Sequence, residues 1–360
     1  MQQEPAIELS IIVPVLNEAA ELPDLFENLA QQRGIRHELI LCDGGSSDAT
    51  LPMAADLVLN RPFTVNTIRT PRGRGVQMNA GARQAKGELL LFLHADSRFT
   101  APDTLNLAVA AFRKHLAVLG TIPFAARFGL SFRRSNSAPS LAYFFYEAKT
   151  RLERTDCIRG DQGFMLTPTF FRCLGGFDTT LPFYEDVRLA ALIARHGNWL
   201  LLPERISTSA RRFETEGLAP RQVVNAIIVN NSIVGWDEFF AILPNLYQCH
   251  AATGRLRLWP LLEGIRLQLA KQGPKWRRAF WLATGRHVAA NIWQLFFWLD
   301  VRRAFRLNKG ADEVDSFWIN FYHRHLERHT RNPLMDMATA AAVRVWFRVL
   351  LLKSRFLENS

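Results

Sequence analysis

LLLFLHADS, residues 89–97, is the stretch whose reading decides the fold. Five large apolar residues run unbroken from Leu89 to Leu93, and the run stops at His94, Asp96 and Ser97. A short continuous apolar run predicts a strand buried on both faces of a parallel sheet. Open α/β sheets bind ligands in the crevice beyond the carboxyl ends of such strands. A carboxylate placed there can hold a divalent cation, and the cation can hold a pyrophosphate. The plain alternative is a strand that simply ends in a polar loop.

Outward from this stretch, strand patterns fall at 9–13, 38–42, 65–69, 88–93 and 118–124. Helical patterns separate them at 21–32, 48–56, 76–86 and 102–115. This alternation predicts an α/β fold, a Rossmann-like, mostly parallel sheet flanked by helices. Pro14 lacks a backbone donor, so the first strand is expected to stop before it. Further helices are expected at 138–154, 185–195, 220–234 and 236–248, with Gly197 as the stop of the second. From Arg255 the chain reads as helical, with breaks near Gly273-Pro274, Gly310 and Asn332-Pro333 and a last helix over 334–356.

The charge is unevenly placed. The 360 residues carry a net +11 and are 48% hydrophobic, so the chain reads as globular. Residues 250–360 hold 19 Lys+Arg against 8 Asp+Glu and seven of the nine Trp, while residues 1–249 balance 25 against 25. The expected organisation is an α/β domain over 1–249 and a basic, Trp-rich helical accessory region over 250–360. Cys42, Cys157, Cys173 and Cys249 show no C-x-x-C spacing, which speaks against a zinc site or disulfide framework. Reduced thiols in the cytoplasm are the simpler account. The start MQQEPAIELS has no signal-peptide pattern, and no apolar run is long enough to span a membrane.

Four segments fall at intervals suited to one crevice: VPVLNE (13–18), DGGSSDAT (43–50), RGRGVQMNAG leading to HADS (72–97), and GGFD with YEDVRLA (175–190). Arg72 and Arg74 flank glycines that let a loop approach phosphates, and guanidinium matches phosphate oxygens. A solvated basic turn is the alternative there. Glu18, Glu185 and Asp186 also suit helix N-termini on electrostatic grounds alone, and Asp48 suits a helix cap.

The order and wording of the four segments over roughly residues 8–215 resemble glycosyltransferase family 2, which has the GT-A fold. The likeness extends to a bacterial subgroup with LHAD, GDQG and SARR segments, found here at 93–96, 160–163 and 209–212. The resemblance implies a nucleotide-sugar donor, UDP-linked, with Pro14, Val15 and Glu18 lining the uracil pocket and Asp43 bonding the base. Gly44 stands where the family often has a second Asp. Arg72, Arg74 and Arg212 are implied at the donor phosphates or ribose, although Phe213 replaces the Trp of the family's Arg-Trp pair. Asp96 is implied as the metal ligand, for Mn²⁺ or Mg²⁺. His94 takes the first place of the D-x-D pattern, as a ribose contact, a metal ligand or a buried structural histidine. Asp186 is implied as the base that deprotonates an acceptor hydroxyl, with Glu185 in support and inversion at the anomeric carbon. Asp161 and Gln162 fall in the acceptor-side segment.

The tail lies outside the resemblance. Arg and Trp interleave along it, which suits a peripheral helix on an anionic membrane presenting a lipid-linked acceptor. A helical accessory or dimerisation domain fits the same pattern; nucleic-acid binding fits only the composition, with no recognised motif. The expected location is the cytoplasm, at the inner face of the membrane if the tail binds lipid. For the chain as a whole, a nucleotidyltransferase or a non-catalytic nucleotide-sugar-binding protein remain as alternatives.

Overall fold

The protein is described from a computed structural model covering residues 6–59, 61–181, 183–248 and 254–358. It divides into two compact units. The first joins Met1–Arg133 to Tyr146–Ser209, and the second joins Arg134–Phe145 to Ala210–Ser360. The main division falls after Ser209, whereas the boundary expected after Cys249 lies outside the described residues.

The first unit is built on a sheet of eight strands: β1 (Leu9–Val15), β2 (His37–Asp43), β3 (Thr64–Arg69), β4 (Leu89–Phe92), β5 (Arg98–Phe99), β6 (Phe124–Arg133), β7 (Phe164–Leu166) and β8 (Asn198–Ser209). Their order is β3-β2-β1-β4-β7-β6-β8-β5. Strands β3, β2, β1 and β4 are mutually parallel, as are β6 and β8, while β7 lies antiparallel between β4 and β6. Alternate residues of the central strands feed two cores. Ile11, Val13, Leu39, Leu41 and Leu91 pack on one face; Ile12, Ile40, Leu90 and Phe92 pack on the other. That is why the apolar runs are continuous rather than alternating.

Helices α1 (Leu22–Ala30), α2 (Thr50–Leu57), α3 (Arg74–Gln84) and α4 (Thr104–Leu119) connect the early strands. Helix α1 buries Leu22, Leu25, Phe26 and Leu29, one face at helical spacing. After β6 come α5 (Leu141–Lys149), α6 (Pro168–Cys173) and α7 (Glu185–His196). Helix α5 is shorter than the 138–154 expected.

Two further expectations are corrected. The strand expected over 118–124 is not there: α4 runs through Leu119 and stops at Gly120, whose φ of 62° ends the helix. Val118 and Ile122 are exposed on this turn, so their β-branched side chains had no buried strand position to fill. Strand β1 passes through Pro14 to Val15, because β4 pairs with it only as far as Ile12. Beyond that point one side of β1 has no strand partner, and a residue without an N–H is tolerated as at an edge.

The second unit is helical: α8 (Arg211–Glu216), α9 (Leu218–Val234), α10 (Asp237–Gln248), α11 (Leu258–Lys271), α12 (Pro274–Ala290), α13 (Trp293–Arg306), α14 (Phe317–Phe321), α15 (Glu327–Thr330) and α16 (Pro333–Glu358). Breaks fall at the glycine and proline signals read from the sequence. Buried Trp236, between α9 and α10, meets the rings of Trp276 and Phe280 on α12 at 5.4 and 5.3 Å. Residues 210–248 therefore share a core with the tail, which explains the earlier boundary. Buried Asp300 accepts from the backbone N–H groups of Trp318 and Ile319, both at 2.9 Å, and so holds the start of α14.

Candidate active site

The carboxyl ends of β1, β2 and β4 deliver the first three segments of the constellation to one edge of the first unit. Strand β2 ends on Asp43, which is buried. Its carboxylate accepts from Gly45 N at 3.1 Å and from Ser46 N at 3.1 Å, so it folds its own loop. Asn17, at φ 57°, accepts from Ser47 N at 2.8 Å, and Glu18 N donates to Thr50 Oγ1 at 2.9 Å. The 13–18 and 43–50 segments are thereby fastened side by side. Asp48 accepts from Thr50 and Ala19, and its hydrogen bond from the Thr50 hydroxyl holds its carboxyl below the usual range.

Buried Gln77, which the sequence reading passed over, ties this corner together. Its Nε2 donates to Val15 O at 2.9 Å and to Cys42 O at 2.6 Å. A Cβ added at Gly44 would stand 3.0 Å from the Gln77 carboxamide. The glycine in the place of the family's second Asp thus makes room for a polar clamp.

The acidic half of the site is assembled from α7 and the turn before β7. Glu185 and Asp186 open α7, preceded by Tyr184 in a left-handed conformation at φ 70°. Glu185 is buried, and Arg74 Nε lies 2.7 Å from its Oε1. The contact is an ion pair without an aligned N–H, which leaves Oε1 without a directional hydrogen bond. Burial pushes the Glu185 carboxyl up; Arg74 opposes this and Asp186 reinforces it. Arg74 also places Nη1 3.2 Å from His94 Nε2. Arg72 is exposed beside it.

Asp186 accepts from Gly160 N at 2.7 Å, and a Cβ at Gly160 would come within 3.0 Å of the Asp186 Cβ. Next to this glycine, Asp161 has a buried Oδ1 with no hydrogen-bond partner among the described residues. Burial, then the charges of Asp186 and Asp96, push the Asp161 carboxyl up to about 6. Asp96 accepts through Oδ2 from Thr208 Oγ1 at 3.1 Å and Ser209 N at 3.3 Å. Arg133 Nη2 donates to its backbone oxygen at 2.6 Å. Asp161 therefore feels Asp186 and Asp96, and Glu185 feels Asp186 and Arg74, so these carboxylates lie close together with Arg74 among them.

Gln162, in the segment implied as acceptor-side, is a buried polar residue of its loop. It is fully buried, accepting from Arg127 Nη1 at 2.9 Å and donating to Cys157 O at 2.8 Å. Arg212 lies in the second unit, exposed, with Nε 4.0 Å from Glu216. Asn79 was also missed: it accepts from Phe177 N at 2.9 Å and donates to Phe177 O at 2.8 Å, fixing the GGFD turn ahead of α7. No local pattern marks Asn79 or Gln77, because each bonds backbone far away in sequence.

The carboxyl edge of this α/β sheet thus brings Asp96, Asp161, Glu185 and Asp186 together with the Arg74 guanidinium. A family model described as Glycosyl transferase family 2 matches residues 10–172, and this segment belongs to that family. Over 107 residues the chain is 40% identical to "PGL/p-HBAD biosynthesis glycosyltransferase" of Mycobacterium bovis (strain BCG / Pasteur 1173P2), covering 29% of this chain and 42% of that protein. It is 28% identical over 211 residues to "Undecaprenyl-phosphate 4-deoxy-4-formamido-L-arabinose transferase" of Proteus mirabilis (strain HI4320), covering 57% of each. The chain thus spans less than two thirds of these relatives. S. aureus TarS 1-349, solved with UDP-GlcNAc, superposes with a TM-score of 0.50 at 17% identity, covering 88% of this chain and 92% of that one. The likeness is one of fold, and the fold is GT-A.

Proposed function

We propose that the protein is a metal-dependent, inverting glycosyltransferase that moves a sugar from a UDP-linked donor to a hydroxyl on a lipid-linked acceptor. The observation that carries this reading is the placing of Asp186, held by Gly160 N at 2.7 Å, beside the buried unpartnered oxygen of Asp161 and the Arg74–Glu185 ion pair at 2.7 Å. The family and the names of the relatives support glycosyl transfer, and the undecaprenyl-phosphate relative supports a lipid-linked acceptor. The reading takes the cytoplasm as the place of action, where buried Cys42 and Cys157 stay thiols.

In this reading Asp186 is the base. Gly160 N holds its Oδ2, leaving Oδ1 to take the acceptor's proton. The acceptor oxygen bonds to the anomeric carbon as the bond to the diphosphate breaks, and one direct displacement inverts that centre. Glu185 fixes Arg74, whose side chain is 43% exposed and able to reach phosphate. The loops at Pro14, Val15, Glu18 and Asp43 are assigned to the base and ribose, and Arg72 to the phosphates.

The residues fit a divalent cation. The unpartnered, buried oxygen of Asp161 and the repulsion it feels from Asp186 and Asp96 mark a site short of positive charge. Asp96 would hold the cation, through the oxygen that Thr208 and Ser209 leave open, with His94 as neighbour. Among the described residues no three His, Cys, Asp or Glu side chains could enclose a metal unaided, so diphosphate and water oxygens would complete the shell. When bound, the cation offsets charge developing on the leaving diphosphate.

Calorimetric titration with UDP, with and without Mn²⁺, tests the donor site. Metal-dependent binding weakened by Asp96→Asn supports it; absence of binding in both conditions overturns the UDP assignment. Asp186→Asn should keep UDP binding and lose transfer, whereas unchanged transfer would remove Asp186 as the base.

A further inference from the structure

Helix α16 is amphipathic in an unusual sense: its two faces are apolar in different ways. One face, carrying Asp336, Ala340, Phe347 and Ser354, is buried within the second unit. Phe347 meets the ring of Trp281 on α12 at 6.0 Å, and Asp336 pairs with Arg286 at 3.0 Å. The opposite face is exposed, yet it is also apolar. Leu334 (79% exposed), Met337, Val345, Val349, Leu352 and Phe356 (71%) recur at helical spacing along it. At 1.5 Å per residue this stripe is about 33 Å long. Scattered exposed apolar residues are ordinary, but a contiguous stripe of this extent marks an interaction face.

The flanks of the stripe identify its partner. Arg344, Arg348 and Arg355 lie along one side and Lys353 on the other, and no acidic residue occurs between Asp336 and Glu358. A second copy of the helix would set like charges against each other with nothing to pair them. An anionic lipid surface matches both features, taking the apolar stripe among acyl chains and the basic flanks among headgroups. The same basic residues keep α16 from crossing: no described helix is long and apolar enough to span a membrane. We infer that the outward face of α16 is a docking surface for anionic phospholipid, on which the helix lies in the plane of the interface. This gives the proposed lipid-linked acceptor a surface on which to be met, and it rests on that reading for its purpose.

The test is co-sedimentation of the full chain with vesicles of phosphatidylglycerol and phosphatidylcholine in equal parts, and with phosphatidylcholine alone. No donor or acceptor is present, so the outcome is separate from that of the transfer assay. The wild type should sediment with the mixed vesicles and not with phosphatidylcholine, and release should follow added salt. The Val349→Glu/Leu352→Glu variant should bind at least tenfold more weakly, and Arg344→Gln or Arg348→Gln each about fivefold. All four positions are exposed, and unchanged circular dichroism will confirm folding. Equal binding by wild type and the double Glu variant would overturn the inference, as would no binding to the mixed vesicles. A concentration-dependent dimer abolished by the double Glu variant would also overturn it, assigning the face to a second copy.

Discussion

Arg74 Nε lies 2.7 Å from Glu185 Oε1, joining the first residue of α3 to the first residue of α7. One guanidinium therefore neutralises the buried carboxylate next to the proposed base and also faces His94. Arg74→Gln leaves Glu185 buried and uncompensated. Loss of one partner of a fully buried pair costs about 3–5 kcal/mol. Arg74 is 43% exposed, so solvent screening lowers the expected loss to about 1–2 kcal/mol. Urea denaturation at neutral pH measures it, and UDP affinity should fall in the same variant.

Asp161 offers the reverse case. Its carboxyl is pushed up to about 6 in the folded protein, against an unfolded value of 3.8. The raised value means the charged form is disfavoured by folding. Stability from this group is complete below pH 3.8 and is lost as pH rises through 6. Asp161→Asn should accordingly stabilise the protein by about 1–3 kcal/mol at pH 7.5 and have little effect at pH 3.5. Stability curves at the two pH values check the sign, and Mn²⁺ should stabilise the wild type more than the variant.

His37 should respond oppositely to acid. It is buried against Phe63, ring centres 4.9 Å apart, and burial lowers it to about 4. The neutral ring is the folded form, so stability is complete above pH 6.5 and falls as pH drops toward 4. The full loss is about 3 kcal/mol. His37→Phe should flatten this part of the stability–pH profile, and a slope unchanged by that substitution would count against the assignment.

Gln77 holds two strand ends through one amide. Gln77→Ala removes two hydrogen bonds from a buried corner, at about 0.5–1.5 kcal/mol each, while the Val15 carbonyl keeps the Gly44 amide at 3.0 Å. A drop in melting temperature should accompany weaker UDP binding. Gly44→Asp, which restores the acidic pair usual in the family, should behave like this loss and not like a gain, because its Cβ meets the Gln77 carboxamide.

The continuous apolar runs made β1, β2 and β4 legible, because both sheet faces are covered and no alternation is needed. The sudden change at His94 located the carboxyl edge for the same reason. Strand β7 escaped notice since three residues carry no period, and β8 because its apolar Trp199–Leu202 stretch passes into the mixed segment around Glu204 and Arg205. The carboxylates proposed for catalysis stood out through motif order. Their supports did not: Gln77, Asn79 and Arg133 act through backbone atoms brought close only by folding. Gln162 shows the limit from the other side, since its place in an acceptor-side motif does not reveal that its buried amide bonds Arg127 and Cys157.

The same Asp96 carboxylate that is proposed to meet the metal also receives the Ser209 amide at 3.3 Å. That amide is consequently a natural reporter. Whatever draws charge from Asp96 changes the protection of one identifiable proton, so exchange at Ser209 can register occupancy of the site without any substrate being turned over.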